Sequence, residues 1–370
     1  MTEEKLLSER HRFKEDYMPY QLSSLQQNAR RLFLDYVHKK NQYISIKKCP
    51  YCGDDSFTKI SEVERRGLPS EIVICNSCDG CFKAKILNSQ MNAYHYEKIS
   101  YSLRGKEISE DIIKKLFENR VKSFAYPRYH FITHFIDLIP GRDTVVELGC
   151  NDGANLLPWF KNNFKVAGYD LDPRMVTFGR KKGLNLIHGD LIEFQSSRLK
   201  AKLIILSHVL EHVSDVNTML QGLVETLQSD GYVFIEVPGL IFQGVRNSLS
   251  YFDVEHNYYF DMNSLTLLLK KHGFKIIYAD QYIRIICTPE QNVSIPAGKG
   301  SPVSFRGMKA GLMKLLIEIM NFKSGKNYDL LKKGESNNVR TSVLKKLQSL
   351  YFVYFYSSIV KHMEKNEGRK

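Results

Sequence analysis

The chain has 370 residues, which at roughly 150 residues per domain makes two domains or one large domain with appendages. With 43% hydrophobic and 25% charged residues it has a globular composition, which excludes a wholly disordered or fibrous chain. The formal net charge is +13, from 53 Lys and Arg against 40 Asp and Glu, but 15 of those bases and only 5 of those acids lie beyond residue 290. The body is therefore near neutral and the excess sits in the tail.

A basic face along the whole molecule would point to nucleic acid. A basic tail points to something local: a membrane surface, a polyanion or solubility. No apolar run reaches the roughly 18 residues of a membrane-spanning helix. The N-terminal MTEEKLLSERHRFKED has no apolar signal core. The expected location is the cytoplasm, with the tail as a candidate peripheral contact at the inner face of the membrane.

In chain order, residues 1–45 read as a polar helical extension with apolar positions at Leu22, Leu25, Leu32, Phe33 and Val37. Residues 46–88 hold five of the seven cysteines among short β-like pieces such as EIVIC. Residues 89–140 return to helical patterning and are expected to form a connector or lid. There ISEDIIKKLFENR has a Ser109 cap with acids in the first turn, and YPRYHFITHFIDLIP is amphipathic up to Pro140. From 141 to 290 the texture alternates. TVVELGC, KVAGYD, LNLIHGD, KLIILSH and GYVFIEVP read as strands, with helical segments between them. NSLTLLLKKHG is a capped helix, and FKIIYADQYIRIICTP a closing hairpin. Alternating strands and helices predict an α/β fold, a Rossmann-like parallel sheet covered on both faces. Residues 291–370 read as a linker and a basic helical tail, with helices around 305–322 and 340–364.

Two CxxC pairs, Cys49/Cys52 and Cys75/Cys78, lie 22 residues apart, a spacing that can place four thiolates around a structural Zn2+. Cys81 could replace Cys78. The region looks too poor in apolar residues for its own core, so metal would supply folding energy. A redox or iron–sulfur role is the alternative.

Ligands of open α/β sheets bind beyond the carboxyl ends of the strands. Here the first strand ends in ELGCNDG, with Gly149 and Gly153 allowing a tight turn and Asn151 at the middle position of a glycine-rich loop. The second strand ends at Asp170, 21 residues after Gly149, a spacing that suits ribose hydroxyls. The third ends in Gly189-Asp190, whose acid can accept from an adenine amine. With LSHVLEHV and DGYVFIEVP, these pieces resemble the class I S-adenosylmethionine (SAM)-dependent methyltransferases over residues 140–289. The resemblance implies a seven-stranded sheet whose last hairpin is antiparallel. It also implies SAM as cofactor, with Glu147, Gly149, Asn151 and Gly153 at the methionine part. Asp170 and Leu171 would then lie at the ribose, and Asp190 and Leu191 at the adenine.

The cysteine region preceding that fold narrows the resemblance to the sugar C-methyltransferases, which act on nucleotide-linked deoxysugars. That family carries a Tyr-x-Glu-His segment after the fifth strand. YFDVEHNYYF keeps Glu255 and His256, with Asp253 at the tyrosine's place. The resemblance implies His256 as proton acceptor. Glu255 is placed beside it, and His208 faces the donor methyl from the end of the fourth strand. Tyr258 and Tyr259 could orient the substrate. Glu211 and His212 could hold a metal with Glu236 or serve in packing. Arg128 could grip a phosphate or stack a base.

The expected function is methyl transfer to a nucleotide-linked sugar or surface-polysaccharide precursor. The alternative is an RNA methyltransferase that uses the zinc ribbon and tail as grips. The tail suits an anionic membrane surface, docking on the body or a dimer contact.

Overall fold

The computed structural model describes residues 2–290, apart from 5, 8, 41–42, 106–108, 241–247 and 281. The expected linker and tail helices lie outside the described residues. Strands β1 (Thr2–Glu4), β2 (Tyr43–Ser45), β3 (Phe57–Val63), β4 (Pro69–Cys75), β5 (Cys81–Lys83) and β6 (Lys85–Leu87) come first. Next are β7 (Thr144–Leu148), β8 (Lys165–Asp170), β9 (Leu186–His188), β10 (Ala201–Ser207) and β11 (Leu227–Glu236). Last are β12 (Tyr258–Tyr259), β13 (Phe274–Ala279) and β14 (Arg284–Pro289).

The large sheet has the order β13-β14-β11-β10-β7-β8-β9. β7 to β11 run parallel, and β14 and β13 close the sheet antiparallel. This is the α/β Rossmann-like sheet of seven strands with a final antiparallel hairpin. Chain order reverses between β7 and β10, so a crevice opens beyond their carboxyl ends. β10 is buried from Ala201 to Leu206, Lys202 included, in keeping with its apolar run Leu203–Leu206. Trp159 packs edge-on against Tyr129 and Phe164 and fills one face.

The helix Ser24–Lys40 buries Ala29, Phe33 and Val37, one every four residues. Leu32, expected on that face, falls off the stripe and is 51% exposed. Helices Ser89–Tyr94, Glu110–Arg120 and Tyr126–Phe135 occupy the segment before β7. Ser109 caps the second of these through the Ile112 N–H.

The cysteine region is not poor in core. Phe57, Ile60, Val63, Leu68, Ile72, Val73, Ile74 and Phe82 are buried there. The expectation failed because part of that core is borrowed. The second sheet, β1-β3-β4-β5-β12, takes its last strand from residues 258–259. Tyr258 pairs with Phe82 and Tyr259 with Cys81. The Tyr51 ring meets Phe82 and Phe260 edge-on, and a Cβ on Gly80 would fall 2.2 Å from the Tyr51 ring. The strip 46–88 therefore shares its sheet with the region 141–290.

A buried ionic seam runs along that junction. Asp253 accepts from Arg66 at 3.4 Å and pairs with Arg65. Burial would raise this carboxyl, but His256, then Arg66 and Arg65, hold it well below its ordinary range. Glu64 meets the same Nη1 of Arg66 at 3.3 Å, and burial lifts it to about 7. Lys83 donates to the Val254 carbonyl, and burial lowers its ammonium to about 8. Removing one member of such a set strands the others in low dielectric. Asp253→Asn should therefore lower stability by about 3 kcal/mol in urea denaturation. A change under about 0.5 kcal/mol would contradict the seam's role.

Candidate active site

The loop after β7 is shaped by backbone that few side chains tolerate. Gly149 and Gly153 have φ of +66° and +76°, and Asn151 joins them at +52°. A Cβ on Gly149 would lie 2.5 Å from Val209 Cγ2, so the loops after β7 and β10 are in contact through that hydrogen. The Asn151 N–H donates to Asp170 Oδ2 at 2.7 Å, and the Asp172 N–H to Oδ1 at 2.8 Å. Burial raises the Asp170 carboxyl, and each oxygen keeps a lone pair for one more donor. Asn151 Oδ1 and Glu147 Oε2 are buried without a hydrogen-bond partner. Glu147 Oε1 accepts from Asn155 at 2.6 Å, and burial lifts this carboxyl to about 8.

The Asn151 oxygen fits a ligand that brings a donor, as an amino acid ammonium or a ribose hydroxyl does, and the unpartnered Glu147 oxygen is a second polar contact for such a ligand. Asp190 caps the helix Leu191–Ser196 by accepting the Ile192 N–H at 2.8 Å. Leu191 is buried and Leu171 is 62% exposed.

Beyond β10 the chain carries a group of imidazoles and carboxylates. His208 has φ +58°, and its N–H donates to the Glu236 carbonyl at 2.8 Å. Its ring stands between Glu211 Oε1 at 3.5 Å and Glu236 Oε1 at 3.7 Å. Burial would lower His208, but the two carboxylates outweigh it and lift it to about 9. Glu211 is 1% exposed, and neither of its oxygens has a hydrogen-bond partner. His212 Nε2 lies 3.6 Å from Glu211 Oε1. The His256 ring stands edge-on to His212, with centroids 4.8 Å apart. Burial first, then His212, lowers His256 to about 4.

Four elements hold this cluster. Glu255 accepts from Ser100 Oγ at 2.6 Å, meets His95 Nε2 at 3.1 Å and pairs with Arg104. The Asn257 N–H donates to the Glu211 carbonyl at 2.7 Å, and the Lys83 N–H to the Asn257 carbonyl at 2.9 Å. Expected residues His208 and His256 thus converge, whereas Glu255 faces its own three partners.

Several expectations are corrected. Glu236 does not complete the Glu211–His212 group. Its Oε2 accepts from Arg128 Nε at 2.9 Å, and His256 takes the third place. Arg128 is not a free grip: it binds Glu236 and Asn155, with a side chain 9% exposed. Tyr258 and Tyr259 are buried, their hydroxyls donating to the Ser214 and Asp253 carbonyls, so they pack rather than face a substrate. Sequence reading missed Asn155, Tyr96 and Lys83, because no local pattern links them to their partners.

Cys49, Cys52, Cys75 and Cys78 form a second group whose sulfurs all lie within 4.8 Å of one another. Cys49–Cys78 and Cys52–Cys75 are 3.5 and 3.6 Å apart. A disulfide needs about 2 Å, whereas sulfurs tetrahedral about zinc stand roughly 3.8 Å apart for Zn–S near 2.3 Å. The donor set therefore fits the metal. The neighbouring sulfurs push Cys52 and Cys75 down and Cys49 and Cys78 up. Cys81 stays outside the group, buried in β5 beside β12.

Residues 106–279 match a family model described as a methyltransferase domain. The C-methyltransferase NovU of Streptomyces niveus is 25% identical over 254 residues, 63% of this chain. Those residues span 57% of that relative, less than two thirds of its length. Among solved structures, a SAM-dependent methyltransferase from Archaeoglobus fulgidus is 20% identical. It covers 56% of this chain and 92% of its own, with a TM-score of 0.37. The plantazolicin methyltransferase BpumL, solved with SAH, is 14% identical, covering 54% and 95%, with a TM-score of 0.41. Residues 106–279 thus carry a methyltransferase-domain match on a seven-stranded Rossmann-like sheet with a final antiparallel hairpin, which together support a class I SAM-dependent methyltransferase.

Asp170→Ala should weaken SAM binding by about 1–3 kcal/mol, read by calorimetry, because it removes an acceptor that also fixes the loop. Unchanged binding would place the donor elsewhere. Glu147 gives a pH test. Its folded carboxyl holds a proton up to about pH 8, whereas an unfolded glutamate loses it near pH 4.3. The wild type therefore loses stability relative to Glu147→Gln as pH rises between those values. The loss is at most about 1.4 kcal/mol per pH unit and levels off above the folded value. A gap that does not grow from pH 5 to 8 would contradict this.

Proposed function

We propose that this chain methylates a small acceptor with an acidic O–H or C–H, a nucleotide-linked sugar or surface-polysaccharide precursor. The observation that carries the reading is the imidazole–carboxylate cluster of His208, Glu211, His212 and His256 beside the loop after β7. The relative's name, a C-methyltransferase, supports it, as does the grouping of His256 with Glu211 and His212. SAM, when bound, supplies an activated methyl sulfonium. The chain's residues then have two tasks. The strand-end loops align donor and acceptor, which can account for much of the rate. The cluster removes the acceptor's proton to one of its imidazoles. Glu255 positions His256 through His95, Ser100 and Arg104.

Cys49, Cys52, Cys75 and Cys78 would hold a structural Zn2+, which supplies folding energy to the second sheet. The chain is expected to act in the cytoplasm, with the basic tail as a peripheral contact at the membrane's inner face. RNA is the second acceptor class and rests on that tail's charge.

His256→Ala should leave SAM affinity near wild type and cut turnover at least about 100-fold. Near-full turnover would remove His256 from the reaction. Metal analysis of protein purified without chelator should give about one zinc, and less than about half an equivalent would contradict the four-cysteine assignment. SAM with a labelled methyl group, incubated with the protein and an extract of its source cells, tests the acceptor. Label should enter nucleotide- or lipid-linked sugars; label in RNA would overturn this reading.

A further inference from the structure

Glu211 presents a problem in electrostatics. It is 1% exposed, and neither carboxylate oxygen makes a hydrogen bond. A buried carboxylate in that state is costly unless a cation faces it. His208, lifted to about 9 by Glu211 and Glu236, offsets part of that charge from 3.5 Å, but neither its Nδ1 nor His212 Nε2 at 3.6 Å reaches good hydrogen-bond length.

His212 shows which way its lone pair points. Its Nδ1 lies 3.0 Å from the Glu255 carbonyl oxygen and 3.1 Å from the Tyr96 hydroxyl. A carbonyl can only accept, so Nδ1 carries the proton. In the neutral ring Nε2 is then the nitrogen with the lone pair, and it faces Glu211. Metal-ligating histidines are held in this way, one nitrogen donating to a carbonyl and the other left for the ion. His256 adds a buried Nδ1 with no partner.

One ligand atom from each of Glu211, His212 and His256 lies within 4.8 Å of the others. Donors about 2.0–2.2 Å from a common ion stand roughly 2.9–4.2 Å apart, depending on the angle. The 3.6 Å between Glu211 Oε1 and His212 Nε2 falls inside that range.

We propose that Glu211, His212 and His256 bind a divalent transition-metal cation whose open positions take the oxygen of the acceptor. Two imidazoles and one carboxylate suit a first-row ion such as Mn2+, Fe2+ or Zn2+, and three protein ligands leave room for a substrate oxygen. The ion is a Lewis acid there, polarising a hydroxyl or a ketone. The inference rests on the proposed function and sharpens it: the acceptor must carry an oxygen at the methylated atom or on its neighbour. His208 remains outside the ligand set.

The test uses the full chain carrying a single equivalent of Zn2+, which the four thiolates take, and Mn2+, which does not compete for thiolates. Titration is followed by the loss of the free Mn2+ signal in electron paramagnetic resonance. One saturable site is expected. Glu211→Gln and His256→Ala should each weaken it about 10–100-fold, the scale of losing a site's supporting group or more. SAM calorimetry on the same variants reports whether they are folded. As a second readout, Co2+ added to the zinc-loaded protein should give weak d–d bands without sulfur charge transfer. Absence of Mn2+ binding in folded wild type, or equal binding in both variants, overturns the site. A Mn2+ site in a chain that transfers no methyl to any small acceptor would instead overturn the proposed function and leave the cation site standing.

Discussion

The pairing of β12 with β5 is the constraint on which the acceptor side depends. Six consecutive residues from 252 to 257 have an anchor. Phe252, Val254 and Asn257 are held through their carbonyls by Arg65, Lys83 and Lys83 again. Asp253 is held by Arg65 and Arg66, and Glu255 by His95, Ser100 and Arg104. His256 donates its own N–H to the Asp253 carbonyl at 3.2 Å. An irregular segment with no regular structure of its own is thus as fixed as a strand. These anchors fix the backbone from which the His256 ring meets His212 edge-on.

The donor side follows the opposite rule. There the backbone is rigid and the side-chain acceptors are left unsatisfied. Glu147 and Asn151 each keep a buried oxygen without a partner, a cost a ligand's donors remove on binding. A chain of contacts joins the two sides: Glu147 to Asn155, Asn155 to Arg128, Arg128 to Glu236, and Glu236 to His208. Arg128 is the centre of that chain. Its planar guanidinium can serve two acceptors in fixed directions, which a lysine could not do.

The sheet was legible because its signals are local. Each strand is a short apolar run, and the acid that ends it follows within a residue or two, as Asp170 and Asp190 do. The four-cysteine set was legible because CxxC spacing is itself geometric. The seam was not legible. Arg66 and Asp253 are 187 residues apart, and His95 and Glu255 are 160 apart. No periodicity connects them. Asp253 reads in sequence as a substitution at a tyrosine's place, whereas in the fold it is the anchor of its segment. Tyr258 and Tyr259 read as substrate aromatics because they follow Glu255 and His256 closely in sequence. In the fold they are a strand, and both of their hydroxyls are spent on carbonyls.

The two metal-competent groups belong to one argument about register. Tyr259 pairs with Cys81, which follows Cys78 by three residues, and His256 precedes Tyr259 by three. Whatever fixes Cys75 and Cys78 therefore fixes β5, and β5 fixes the position of His256. A slip of one residue in that pairing would turn every side chain of β12 to the other face. It would also break the Lys83–Asn257 bond that carries the Glu211 loop. Four thiolates select a soft ion, and one carboxylate with two imidazoles accepts a harder one. The strand pair keeps the geometries of the two sites linked. On this reading the small sheet is part of the active site rather than a separate module.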